Sequence, residues 1–152
     1  MTMDVKKPIG FSFHRISIEQ FAIIEDKFKD GEGINLSTGI EFALDTDNKI
    51  LICYFTVKYE QSDSPFLLIK CGCHFGIGQE SWTKYQTDSA TVTFPQGFMA
   101  HLATLTVGTT RGVLHVKTEG TTFNRFLLPT VNVMEMIPTD IPFDLQVGQA
   151  NK

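Results

Sequence analysis

Cys71-Gly72-Cys73-His74 is the stretch whose residue types could hold a metal, because thiolate and imidazole are the ligands that zinc prefers. Its spacing argues against that use. Both cysteines fall on one face of an apolar strand pattern, and no second Cys pair stands nearby to finish a tetrahedron, so no metal and no cofactor are expected. A cysteine nucleophile needs a positioned base, and His14, His74, His101 and His115 are available, but none lies in a local signature. The acidic pairs Glu25-Asp26 and Asp45/Asp47 fall at strand ends or turns, where solvated roles are usual. Gly31-Glu32-Gly33 and Phe75-Gly76-Ile77-Gly78 do not run from a strand into a helix and lack the Lys-Ser/Thr of a phosphate-binding loop. Gly108-Thr109-Thr110-Arg111-Gly112 offers one cation and two hydroxyls between flexible positions, and reads first as a packing or oligomer-contact segment, second as an anion site. No catalytic motif emerges, and the chain is expected to be a non-enzyme.

The elements that must position these residues are mostly strands. Phe11 to Ile24 places Phe11 and Phe13 on one face and Ile16 and Ile18 on the other, so a bulge or bend is expected around His14 and Arg15. Lys27 to Gly33 is a polar loop. Gly39 to Leu44 alternates as a half-buried strand, and Asp45-Thr46-Asp47-Asn48 is a tight turn. Ile50 to Tyr59 is apolar on both faces. Gln61 to Pro65 reverses the chain, and Phe66 to Ile77 puts Leu67, Ile69, Cys71, Cys73, Phe75 and Ile77 on one face. Gly78 to Asp88, with Trp82 and Tyr85, has no clear period and reads as a crossover loop.

A long helix starts at Pro95, with Thr93 as the nearest capping side chain. It runs to about Glu119 before a left-handed stop at Gly120, although Gly108 and Gly112 each cost about 1 kcal/mol relative to Ala inside it. An end near Gly108 followed by a strand from Arg111 to Val116 is the competing reading. Thr121 to Val133 is expected to be extended, since Pro129 pushes its predecessor out of the helical region. Together these segments give an α+β fold: a four-stranded antiparallel sheet with a long helix packed on one face. Residues 1–10 read as an arm, 11–137 as a single domain and 138–152 as a loose tail.

Composition narrows the partners. A net charge of −4 with a pI near 5.5 leaves no basic footprint for nucleic acid. No apolar run spans a bilayer, and residues 1–9 lack the core of a signal peptide. Three unpaired-looking cysteines suit a reducing compartment, so the cytoplasm is the expected location. The 13 Phe residues need a core or a sticky surface. One helix covers one sheet face, so Phe66, Leu68, Ile50, Ile52 and Tyr54 on the opposite face, with Trp82 and Tyr85 folding over them, are expected to meet another subunit or an apolar partner.

The blocks FSFHRISIEQF, IEFALDTDNKILICYFTVKY, FLLIKCGCHFGI, FPQGFMAHLATL and EGTTFNRFLLPTVNV stand in the order of the corresponding blocks of the SecB family of bacterial export chaperones, which the chain resembles from Phe11 to Val133. The resemblance implies dimers assembled into a tetramer through the helix, and hydrophobic grooves that hold unfolded chains without ATP. It implies client-binding residues among Phe66, Leu68, Trp82, Tyr85, Phe98 and Met99, and an oligomer interface at Leu102, Leu105 and Arg111. The chain departs from the family in three places. The Pro95 to Gly120 segment is longer by roughly two and a half helical turns. The end from Pro138 to Lys152 is short and contains proline. The acidic positions through which SecB meets the SecA motor are Gln20, Ile24 and Leu68 or Lys70 here, so SecA is not implied as a partner. A dedicated chaperone of one antitoxin-type protein, and a small-ligand protein or enzyme using Arg111 and the histidines, are the alternatives.

Overall fold

The structure is a computed structural model that describes residues 10–145. Four long strands, β1 (Phe11–Ile23), β2 (Asn35–Asp45), β3 (Ile50–Gln61) and β4 (Ser64–Ile77), form an antiparallel sheet in the order β1-β4-β3-β2. The short helix α1 (Gln79–Tyr85) leads to strands β5 (Gln86–Asp88) and β6 (Thr91–Phe94), and the long helix α2 (Gln96–Lys117) packs on β3 and β4. A single turn, α3 (Val133–Met136), precedes β7 (Ile141–Asp144), which pairs with β6 in a second, three-stranded sheet. The expected α+β architecture, a four-stranded antiparallel sheet with a long helix across it, is what the chain forms.

The turns follow local chemistry. Asp45 accepts hydrogen bonds from the Asn48 backbone N–H at 3.2 Å and side-chain amide at 2.9 Å, closing the β2–β3 turn. Ser62 and Asp63 both have positive φ, at 50° and 62°, between the opposed Gln61 and Ser64. That is the two-residue hairpin whose twist matches the strands it joins. The loop after β1 is pinned by Gln61, only 3% exposed, whose side chain exchanges hydrogen bonds with the Lys29 backbone at 2.9 and 2.8 Å.

Register explains how β1 packs. It pairs with β4 with shifts between Phe13 and Arg15 and between Ile18 and Gln20, so His14 and Glu19 are extra residues. Directly opposed residues share a face. Phe11, Phe13, Ile16, Ile18, Phe21 and Ile23 therefore all lie on the face of Cys71, Cys73 and Phe75. The expected slip at His14 is present, and a second at Glu19 completes the correction. His14 lies over Gly76 on the far face, and Ser17 and Tyr54 stand where a Cβ on Gly72 would be.

The core lies between α2 and the sheet. Leu51, Phe55, Ile69, Phe75, Met99 and Leu102 are fully buried there. Thr106 and Thr110, also buried, satisfy their hydroxyls on the Leu102 and Thr106 carbonyls at 2.9 and 2.8 Å. The helix runs unbroken past Gly108 and Gly112, which lie on its exposed side, and the chain turns at Gly120 with φ 78°. The shorter-helix reading is overruled because the buried threonines and Leu114 keep the apolar stripe in phase beyond Gly108.

Four expectations need correction. Gly78 to Asp88 is not a loop but α1 and β5, whose brevity hides any period. Thr121 to Val133 is not wholly extended: a 3-10 turn covers Thr122–Arg125, with Phe123 buried. Thr93 does not cap α2. The Gln96 N–H donates instead to Asp140 Oδ1 at 2.8 Å, an acidic partner suited to a helix start. Finally, the stretch from Pro138 is not loose over its described part, because β7 is zipped onto β6 from Ile141 to Asp144. The arm at residues 1–9 and the end at 146–152 lie outside the described residues.

Candidate functional site

The chemistry-bearing residues resolve into structural roles. Cys53, Cys71 and Cys73 are free and fully buried. Burial pushes the Cys53 thiol up to about 12, and raises Cys71 and Cys73 as well, against a smaller opposing effect of hydrogen bonds with Thr106, Thr109 and Thr110 of α2. Thiols held protonated are poor nucleophiles. Arg111 is spent inside the chain, with Nε donating to the Leu128 carbonyl at 2.9 Å and Nη2 to that of Pro129 at 2.8 Å. The histidines are dispersed. His74 meets Ser17 Oγ at 3.0 Å on the far face, His101 stacks edge-on with Phe11, and the His115 carbonyl accepts from Asn124 at 2.9 Å. The structure does not assemble Arg111 and the histidines into one site.

The expected client-binding residues separate into two groups. Phe66, Trp82 and Met99 are 0%, 6% and 0% exposed and belong to the core. Simple alternation puts Phe66 on the far face, but a register shift after Tyr59 turns it toward Tyr59, Phe123 and Phe126. Trp82 packs on Phe94. Leu68 stays on the far face beside Ala22, half-buried. Tyr85 and Phe98 are half-buried and stack at 5.4 Å. Of the expected interface residues, Leu102 is fully buried, while Leu105 and Arg111 are half-buried, the guanidinium of Arg111 being bonded to carbonyls of its own chain.

The exposed apolar surface lies elsewhere than alternation suggested. On β1, Phe13, Ile16 and Ile18 are 44%, 50% and 46% exposed, although they face the helix side of the sheet. The reason is position: α2 stands over the central strands and leaves the edge uncovered. Phe98 and His101 approach Phe11 with ring centroids 5.9 and 5.7 Å away, and Lys117 Nζ lies 5.5 Å from the Phe21 ring. Helix and strand therefore run alongside each other in the same direction. Phe98, His101, Leu105, Gly112 and Val116 fall on the helix flank that looks toward β1.

The result is a groove with an apolar floor from β1 and a wall from α2. It runs about 27 Å from Phe98 to Val116 at the helical rise, a length that admits roughly eight extended residues. Its upper end opens into a cleft of about 880 Å³ lined by Phe11, Tyr85, Phe98, His101 and Lys84. The sequence signal for this groove was the double alternation in β1, and only its first half was readable. The far face mixes polar groups with the half-buried Ile50, Ile52, Tyr54 and Leu68, and there Lys70 Nζ lies 5.0 Å from the Tyr54 ring and 3.8 Å from Glu41 Oε1. Among the described residues, no helix is long and apolar enough to cross a membrane.

No family model matches the chain, and no curated protein does. Among solved structures, the chain is similar to a SecB-like chaperone of Mycobacterium tuberculosis determined in complex with a ChAD peptide from the HigA1 antitoxin. The two are 12% identical, the likeness covers 80% of this chain and 90% of that one, and the TM-score is 0.43.

Proposed function

We propose that this protein is a non-enzymatic, ATP-independent chaperone or adaptor that receives an extended apolar segment of a client polypeptide in the groove between β1 and α2. The observation that carries this reading is the unpartnered row Phe13, Ile16 and Ile18 on an edge strand. An extended client laid on that row buries apolar side chains at about 25 cal/mol per Å², and backbone groups along the free edge add hydrogen bonds of the strand-addition kind. Tyr85, Phe98 and Leu105 line the groove as client contacts. The free cysteines fit a reducing, cytoplasmic setting.

Static light scattering of a chemically unfolded test protein, diluted with and without this chain, tests the proposal. Suppressed aggregation without nucleotide, lost on Phe13→Asp/Ile18→Asp, is the expected result; equal aggregation at a several-fold molar excess of the chain sinks it. Similar capture of several unrelated unfolded proteins marks a general chaperone of the kind used in export. Selective capture of one folded-state precursor marks a dedicated, antitoxin-type one.

A further inference from the structure

We propose that the groove selects its client by the order of two charges: the client segment joins β1 as an antiparallel strand over Arg15 to Glu19, with a basic residue opposite Glu19 and an acidic one opposite Arg15. This inference rests on the client reading and names the class of segment received. From its N- to its C-terminus that segment reads basic, apolar, any residue, apolar, acidic.

The two register shifts confine the pairing. Ile16 and Ile18 face the helix side opposite Cys73 and Cys71, while Arg15 and Ser17 face the far side opposite His74 and Gly72. The charges of Arg15 and Glu19 both act on Tyr54 and His74, so Glu19 stands on the far side as well. Alternation is strict from Arg15 to Glu19. It breaks just outside, where His14 lies over Gly76 beside Arg15, and Gln20 stands opposite Lys70 beside Glu19. A regular strand, whose side chains alternate at every residue, matches faces across neither break. The window between the breaks is the one that holds Ile16 and Ile18, 50% and 46% exposed.

Within this window two apolar client residues meet Ile16 and Ile18, and their alternate neighbours meet Arg15, Ser17 and Glu19. Ser17 already holds His74 at 3.0 Å. Arg15 and Glu19 are exposed, and neither forms a salt bridge among the described residues. Opposite charges directly across antiparallel strands are favourable, and like charges are unfavourable. An antiparallel client sets its N-terminal charge against Glu19 and its C-terminal charge against Arg15. The two charges thereby fix register and direction, which the apolar row alone does not, since it accepts a chain shifted by two residues or turned round.

Fluorescence anisotropy with labelled peptides of about eight residues, at low ionic strength, reads the preference. Three peptides share Val-Thr-Val at the centre, flanked by Lys before and Glu after, by Glu before and Lys after, or by Gln on both sides. The Lys-first peptide should bind about tenfold more tightly than the Glu-first one, two attractions against two repulsions, with the Gln peptide between them. That ratio should shrink towards one in about 1 M salt, which screens exposed charges. Arg15→Glu/Glu19→Arg should invert the order of the two charged peptides, an outcome that a misfolded variant cannot give. Equal binding of all three, an unchanged order in the double variant, or no binding at millimolar peptide overturns the charge selection. Capture of the unfolded test protein decides the client reading separately: capture without charge preference keeps that reading and sinks this inference, and no capture sinks both.

Discussion

At the β2 edge of the sheet Ile40, Phe42 and Leu44 are half-buried against the core, whereas at the β1 edge Phe13, Ile16 and Ile18 are about half exposed on the same sheet face. Composition does not separate the two rows. The two flanks of α2 differ in the return of the chain after Gly120, which is bonded to one of them. Gln96 and Arg111, on the flank of α2 turned away from β1, hold the Ile137, Leu128 and Pro129 carbonyls. The segment they hold buries Leu128, Val133 and Ile137. Nothing described plays that part on the β1 flank. An apolar row that the chain itself covers is structural; the row left bare is the one proposed to receive the client.

The sharpest way to break this comparison is to remove the cover. Leu128→Ala, at a position 1% exposed, should cost about 2–5 kcal/mol, read as a lowered denaturation midpoint. Arg111→Ala, which frees two carbonyls from a charged donor, should cost about 1.5–3 kcal/mol, with faster amide exchange around residues 126–131. Asp140→Ala, which uncaps α2, should cost about 1 kcal/mol by thermal melting. On the uncovered edge, Phe13→Ala should change stability by less than these, within about 1 kcal/mol; a loss as large as that of Leu128→Ala would erase the distinction between the edges.

The smallest effect belongs to the far face. Burial first, and then the Arg15 guanidinium, lower the His74 pKa from its ordinary 6.5, with Glu19 opposing. The unfolded chain then binds the proton more readily, so stability is complete above pH 6.5 and declines as pH falls below it. His74→Gln should flatten that slope in denaturation curves taken between pH 7 and 5, whereas Phe13→Ala should leave it unchanged.

Long alternation made β2, β3 and β4 readable, and a Pro start with a Gly stop made α2 readable. The strands β5, β6 and β7 were not, because three or four residues cannot display a period and β6 and β7 are far apart in sequence. The site was half legible. The surplus of aromatic side chains was evident, but its place was assigned by strict alternation. Phe66 breaks that rule at a bulge, and Trp82 lies in a helix of seven residues. The seating of residues 128–137 on one flank of α2 depends on tertiary hydrogen bonds that no local pattern announces.

The two bulges carry a consequence for how β1 can vary. Without His14 and Glu19 the strand would read FSFRISIQFAI, in which every odd position is apolar. The native strand is that alternating ribbon with two residues spliced in. Losing either one would remove its own bulge and leave the rest of β1 opposite its present β4 partners, whereas losing a residue between them, such as Ser17, would send a terminal stretch to the polar side. Losing both would keep all six on the core side. Length changes in this strand are therefore tolerable at the two bulges and not between them, a grammar of insertion and deletion stricter than that of the surface loops.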